Sequence, residues 1–231
     1  MTSHYTSSLS VELGRMDFIQ ALELQRKLRN LRSEGKIPDV FLFLEHFPVF
    51  TVGRHPEPSN FVGVPVVETE RGGDVTYHGP GQLVIYPIRD VRIDGNMDVR
   101  KFVNLTQAWV IRSLESLGFR THLGNEPGIW VYNTPNGDRK VASIGMAIKD
   151  SVSMHGVSIN LSEEVLEGFN RIRPCGMSPE VMGYIGIGRD RVINAMLSEL
   201  DVPCRNVERE EFLLMANNAY SGSRKLSIMS P

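Results

Sequence analysis

Residues 71–87 read RGGDVTYHGPGQLVIYP: Arg71, a glycine pair, five residues to His78, a Gly79-Pro80-Gly81 turn, and the run from Gln82 to Pro87. QLVIYPI has the length and content of a strand leaving a tight turn. Gly72 and Gly73 carry no Cβ, so a ligand or another stretch of backbone can approach their peptide groups closely. The stretch contains neither the phosphate loop G-x-x-x-x-G-K-[ST] nor the dinucleotide fingerprint G-x-G-x-x-G. A basic and a titratable side chain beside so much backbone freedom read either as a hairpin turn or as a wall where a ligand meets backbone.

Outward from this stretch, strand-like runs alternate with helical patterns. SLSVELG and DVFLFLEH read as strands, the second buried on both faces because its apolar residues do not alternate. PVFTVG and PVVETE read as further strands. MDFIQALELQRKLRNLRSEG reads as a helix capped by Asp17, with Ala21, Leu24, Leu28 and Leu31 at helical spacing and Gly35 at its stop. MDVRKFVNLTQAWVIRSLESLGF predicts a second helix with a stripe of Phe102, Leu105, Trp109 and Leu117, ended by Gly118. GIWVYNTPNGDRKVASIGMAI reads as two strands joined at Asn136-Gly137. SMHGVSINLS is another strand, SEEVLEGF a short helix, and NRIRPCGMSP a loop punctuated by Pro174, Gly176 and Pro179. Helices at RVINAMLSEL and REEFLLMANNAY follow. Strands clustered between early and late helices predict an α+β fold, a mixed β-sheet flanked by helices, in one domain over residues 1–231.

The chain has 231 residues, 41% hydrophobic and 23% charged, enough to bury a sizeable core. A formal net charge of −2 provides no field towards nucleic acid or an anionic membrane. The sequence has no apolar run of about 18 residues, so no membrane span is expected, and MTSHYTSSLSVELG lacks the basic and apolar regions of a signal peptide. Two cysteines, Cys175 and Cys204, are no disulfide framework. Free thiols in a reducing, cytoplasmic setting are the expectation.

An isolated intracellular cysteine is most often a small buried hydrophobe. Cys175 has surroundings better suited to reactivity: Arg171 and Arg173 favour a thiolate, and glycine and proline beside it form a loop able to present a side chain. Cys204 also follows a proline and precedes Arg205, so local sequence separates the two only mildly. The six histidines (4, 46, 55, 78, 122 and 155) form no H-E-x-x-H pattern, no C-x-x-C is present, and no metal site is expected. Lys140 lies in the strand-like RKVASIG. It reads as solvated unless buried beside a thiol, where a lysine can accept a proton.

Several segments together resemble the lipoyl(octanoyl) transferase family: RGGDVTYHGPGQLVIYP, FLEHFPVFTVGR (with Phe47 where a proline is expected), RKVASIGMAI, HGVSINLS and FNRIRPCGM, in that family's order across Phe41 to Met177. The resemblance implies a biotin/lipoate protein ligase-like catalytic domain, of the class II aminoacyl-tRNA synthetase/biotin synthetase-like type. It implies transfer of an octanoyl group from octanoyl-acyl carrier protein to a lysine of a lipoyl domain. On this resemblance Cys175 is the acyl-thioester nucleophile, and Lys140 lowers its pKa and moves the proton. Arg71, Gly72, Gly73, Asp74, Val75, Thr76, Tyr77 and His78 bind substrate, as do Ser143, Ile144 and Gly145 and also Gly156, Val157 and Ser158. The implied partners are acyl carrier protein, the lipoyl domains of 2-oxoacid dehydrogenase E2 subunits and the glycine cleavage H protein, met by a monomer. No cofactor is implied beyond the phosphopantetheine that the carrier brings.

This chemistry suits those residue types. A free thiol of pKa about 8.5 is only a few per cent thiolate at neutral pH, so a neighbouring proton acceptor matters. Each tetrahedral intermediate needs N–H donors, for which turns near Gly145 or Gly176 are sources. Gly72-Gly73 would line an acyl tunnel, with Arg71 and His78 orienting polar parts of the donor or the catalytic loop. Arg54, Arg71 and Arg173 are the cations that could face an acidic carrier. The competing readings are an ATP-dependent lipoate or biotin ligase, a cysteine-dependent lipoyl amidotransferase, and a non-catalytic binding module. The G-R-G-R adenylate loop of biotin ligases is absent from the sequence.

Overall fold

A computed structural model of the protein describes residues 7–93, 95–124, 128–135 and 137–227. In chain order the elements are β1 (Ser8–Met16), α1 (Phe18–Ser33), β2 (Val40–His46), β3 (Val49–Val52), β4 (Val67–Glu68), β5 (Thr76–His78), β6 (Gln82–Ile88), β7 (Arg92–Ile93), β8 (Asn96–Met97), α2 (Val99–Ser116), β9 (Thr121–Leu123), β10 (Ile129–Thr134), β11 (Gly137–Lys149), β12 (Val152–Asn160), α3 (Glu164–Phe169), α4 (Arg189–Ser198), β13 (Cys204–Asn206) and α5 (Arg209–Ser227). The main sheet runs β13-β1-β2-β6-β12-β11-β10-β9. β1 is parallel to β2 and β13, and the other neighbours are antiparallel, so the sheet is mixed as expected. β3, β4 and β5 form a small second sheet, and β7 and β8 pair with each other.

The non-alternating β2 sits centrally and buries both faces. Val40, Leu42 and Leu44 join Val84, Tyr86 and α1 in one core, while Phe41 and Phe43 join Leu83, Ile85 and α2 in another. A large-to-small change at Phe41 or Phe43 costs about 3–5 kcal/mol at such fully buried positions. Asp17 caps α1, its Oδ1 accepting from Ile19 N at 2.9 Å and Gln20 N at 3.1 Å. A third cluster, around Phe50, Tyr77 and Phe169, glues the small sheet to α3.

Two expectations change, and two strands are added that the sequence did not announce. PVVETE supplies only the two-residue β4, paired to β3. Leu105 is 48% exposed, because the buried arc of α2 is centred on Phe102, Thr106, Trp109, Val110 and Ser113, and Leu105 lies past its edge. The short edge strands β9 and β13 carry no strand-like run in sequence. Asn136, placed at the turn between β10 and β11, lies outside the described residues.

Candidate active site

The glycine segment is bound to the end of β3 through backbone. Gly53 N donates to Asp74 O (3.3 Å), Arg54 N to Arg71 O (2.9 Å) and His55 N to Gly73 O (3.2 Å), while Gly72 N reaches Met146 O of β11 (2.9 Å). The approach is close: a Cβ on Gly53 would stand 2.3 Å from Gly73 O and 2.8 Å from both Arg71 O and Gly72 O. Gly73 itself adopts φ +86°, open to glycine without strain.

Arg71 turns inward from this segment. Its Nη2 donates to Thr51 O (2.8 Å) and Thr51 Oγ1 (3.0 Å), and Nη1 to Gly72 O (3.0 Å). Burial pushes its pKa down to about 10, so the guanidinium stays charged at neutral pH. A buried, clamped side chain cannot meet a partner protein, which corrects the expectation that Arg71 faces a carrier. Arg54 and Arg173 are exposed.

A cavity of about 810 Å³ opens beside the segment. β11 and β12 form one wall, and their register sets Ser143 opposite Ser158, Ile144 opposite Val157 and Gly145 opposite Gly156. All six residues line the cavity, as do Arg71 to Thr76 and His78. Tyr77 does not. On β5 the side chains alternate, and its ring packs away from the cavity, 5.1 Å from Phe50 and 5.8 Å from Phe169 between ring centroids.

Lys140 and Cys175 line this same cavity from unrelated elements. Lys140 is on β11, 2% exposed, its carbonyl accepting from Gly183 N at 2.9 Å. Cys175 is half-buried in a 3₁₀ turn, Pro174–Gly176, at φ 54° and ψ 33°. The left-handed region costs a non-glycine residue roughly 1–2 kcal/mol, and such strain clusters at functional sites. Asn60 holds the turn in place: its carbonyl accepts from Arg173 N (2.8 Å) and its Nδ2 donates to Asp74 Oδ2 (2.6 Å), tying the cysteine loop to the glycine segment. Cys204 lies on β13, packed beside the Phe41 core and outside the cavity lining.

Sequence reading missed the apolar walls Phe18, Val84, Tyr86, Val99 and Val103, which are indistinguishable in pattern from ordinary core, and also Asn60 and His155. Under the cavity, burial pushes His46 down to about 4 and His78 down to about 3, and it lowers His155 against the pull of Glu70. Of these, His78 and His155 line the cavity, as neutral imidazoles at physiological pH. Among the described residues, no group of three or more His, Cys, Asp or Glu side chains is gathered as metal ligands, and no helix is long and apolar enough to cross a membrane.

Residues 17–214 match the family described as lipoyl protein ligase A/B catalytic domain. The chain is similar to an octanoyltransferase of Alkaliphilus metalliredigens, 38% identical over 192 residues, covering 75% of this chain and 85% of that one. It is similar to one of Corynebacterium diphtheriae, 38% identical over 196 residues, covering 82% and 77%. Among solved structures, lipoate-protein ligase A bound with ATP superposes with a TM-score of 0.68 at 16% identity, covering 93% of this chain and 94% of that one. A bi-partite lipoate protein ligase of Thermoplasma acidophilum gives 0.67 at 14% identity, covering 94% and 93%. At those identities the superpositions speak for a shared fold.

Proposed function

The chain belongs to the lipoyl protein ligase A/B catalytic-domain family, and from that premise we propose that it transfers octanoyl groups by covalent capture on Cys175. It is an acyltransferase of lipoate biosynthesis, as its similarity to octanoyltransferases supports. The observation that carries the cysteine route is that Cys175 and Lys140, far apart in sequence, line one cavity whose other walls are apolar side chains and glycine backbone.

In the first step the Cys175 thiolate attacks the carbonyl carbon of an octanoyl thioester on acyl carrier protein. The carbon–sulfur bond to the pantetheine arm breaks, and the departing thiolate takes the proton that Lys140 accepted from Cys175. One thioester replaces another, so the exchange is close to balanced and needs no ATP. In the second step the neutral amine of the acceptor lysine attacks the Cys175 thioester. An amide forms, Cys175 leaves as thiolate, and Lys140 takes the proton that the amine loses. Splitting the transfer lets one cavity serve two protein substrates in turn.

The eight-carbon chain, at about 0.8 kcal/mol per buried CH₂, contributes roughly 5 kcal/mol of binding against the apolar walls. The acceptors are lipoyl domains of 2-oxoacid dehydrogenase E2 subunits and the glycine cleavage H protein, and the enzyme acts as a cytoplasmic monomer. Arg54 and Arg173, exposed near the cavity and the cysteine turn, are the cations suited to an acidic carrier. Intact-mass analysis after incubation with octanoyl-acyl carrier protein without ATP tests the route. A mass gain of one octanoyl group that maps to Cys175 is expected. Modification that requires ATP and leaves Cys175 free would overturn it in favour of a ligase.

A further inference from the structure

Beneath the cavity runs a chain of buried polar side chains that takes no part in the steps above. Asn160, at the end of β12, donates from Nδ2 to Gly183 O at 2.8 Å. A carbonyl only accepts, so Asn160 Oδ1 points the other way, where it accepts from Gln82 Nε2 at 3.0 Å. The same Nε2 donates to a second carbonyl, Tyr77 O, at 3.3 Å. Two obligate acceptors thereby fix the direction of the Gln82 amide and leave its Oε1 2.7 Å from His78 Nδ1. An oxygen there requires the proton on Nδ1. Burial keeps the ring neutral, so Nε2 bears a lone pair and no hydrogen.

The groups around the ring do not use that lone pair. His46, on β2, is 5.7 Å away between ring centroids and spends its own Nε2 on Tyr86 Oη at 2.8 Å. Arg71 makes three hydrogen bonds through its Nη atoms, all to Thr51 and Gly72, and its Nε makes none. His155 faces Glu70, 3.6 Å from its Nε2. His78 lines the cavity and is 8% exposed. Among the described residues Nε2 has no protein hydrogen-bond partner, so it is available to whatever fills the cavity.

We propose that Gln82 and Asn160 are positioning residues that hold His78 as the Nδ1–H tautomer, so that Nε2 accepts a hydrogen bond from a substrate N–H group. For the identity of that substrate the proposal rests on the acyl-transfer reading. The fatty chain carries no donor, whereas the amides of a pantetheine arm and the amine of an acceptor lysine both do. The opposite tautomer, or the imidazolium, would set a donor against a donor and leave both unpaired.

The first test is ¹⁵N NMR of the full-length protein labelled at histidine. A protonated Nδ1 and a bare Nε2 on His78 at pH 7 are expected; a protonated Nε2 overturns the proposal whether or not the protein transfers acyl groups. The second uses Gln82→Met, which is similar in size but offers Nδ1 no oxygen and Asn160 no donor, and His78→Phe. If the arm is the donor, both variants load Cys175 from octanoyl-pantetheine about tenfold more slowly, the factor one ordinary hydrogen bond carries. Loading from octanoyl-thioethanol, which has no amide, then stays within about twofold of the parent. If the acceptor amine is the donor, loading is unchanged and off-loading of preloaded Cys175 onto a purified lipoyl domain slows about tenfold. Equal slowing of every step with every donor is what a merely structural role gives, and it overturns the proposal. Failure of the unsubstituted protein to load Cys175 counts against the acyl-transfer reading instead, and the NMR result still decides the tautomer.

Discussion

Replacing Gly53 by alanine tests whether the cavity depends on backbone packed against backbone. The added Cβ would sit 2.3 Å from Gly73 O, where real Cβ contacts essentially never fall below 3.0 Å, so β3 and the glycine segment must separate by about 0.7 Å. No flexible side chain can give way, because all three contacts are carbonyl oxygens. The hydrogen bonds spanning this junction, at 3.3, 2.9 and 3.2 Å, lengthen together. Overpacking of this kind costs about 1–3 kcal/mol, and the stiffer unfolded chain returns about 0.4–1 kcal/mol. A net loss of about 1–2 kcal/mol lowers the Tm of a chain this size by roughly 2–8 °C. The effect on chemistry is larger in proportion, since Arg71, Gly72 and Gly73 line the cavity with Cys175. A displacement near 1 Å in an active site can cost about a hundredfold. Loading of Cys175 from octanoyl-acyl carrier protein, followed by intact mass in single turnover, should fall between about tenfold and a hundredfold while thermal melting stays cooperative. Gly188→Ala, where nothing lies within 4 Å of the new methyl, is the comparison and should load at the parent rate. Parent-like loading by Gly53→Ala would refute the claim that this junction shapes the site.

Cys175→Ala should abolish the acyl adduct in the mass spectrum, whereas Cys204→Ala, outside the cavity, should keep turnover within about twofold; the reverse pattern moves the nucleophile to Cys204. Lys140→Arg keeps a cation but removes the proton acceptor, and steady-state turnover should drop by about a hundredfold or more with circular dichroism unchanged. His46 and His78 have folded pKa values of about 4 and about 3, below the ordinary 6.5. The unfolded chain therefore binds these protons first: stability is full above about pH 6.5 and is lost as pH falls from there towards 4. At pH 5 each ring costs about 2 kcal/mol, so the urea midpoint should fall between pH 7 and pH 5, and His46→Phe should flatten that slope.

The parts of this fold that could be read in advance are those where local pattern and tertiary environment agree. Asp17 before a 3.6-residue apolar period becomes the cap of α1, and the unbroken apolar run of β2 becomes the strand with a core on each face. Where the two disagree, pattern misleads. Leu105 follows the α2 stripe by spacing yet falls outside the arc the sheet covers, and Cys204 sits on a three-residue strand whose pairing with β1 nothing nearby in sequence announces. The candidate site divides the same way. Residues on neighbouring strands, such as the β11 and β12 segments, meet because register brings them together, and motif resemblance found both. Tyr77 lies within the motif but alternates away. Asn60 carries no local signal, and the motif around Gly53 assigns that glycine no role, since an amide in a short turn and a glycine after a strand become meaningful only when the partner loop folds onto them.

Arg71 shows why a basic side chain stands at the head of the glycine segment. Burying a guanidinium is expensive unless its hydrogens are satisfied, and the usual solution is a carboxylate. Here the partners are two carbonyl oxygens and a hydroxyl, which offset part of the desolvation without cancelling the charge. The cation persists at neutral pH and is near enough to Cys175 to interact with it electrostatically. Around it, His46, His78 and His155 are held neutral, so no imidazole adds to the positive charge that Arg71 and the proton-carrying Lys140 bring. The reaction proposed for this cavity passes twice through an intermediate carrying negative charge on the former carbonyl oxygen. Arg71 is a fixed cation on which the Asp74 carboxylate also acts, and in the proposed reaction a fixed cation favours that charge more than the uncharged thioester; differential stabilisation of this kind accelerates a reaction where uniform binding does not. The glycines that follow let the chain fold back tightly enough for Arg71 to turn inward, so the motif is one device: backbone without side chains, arranged to bury a charge beside a thiol.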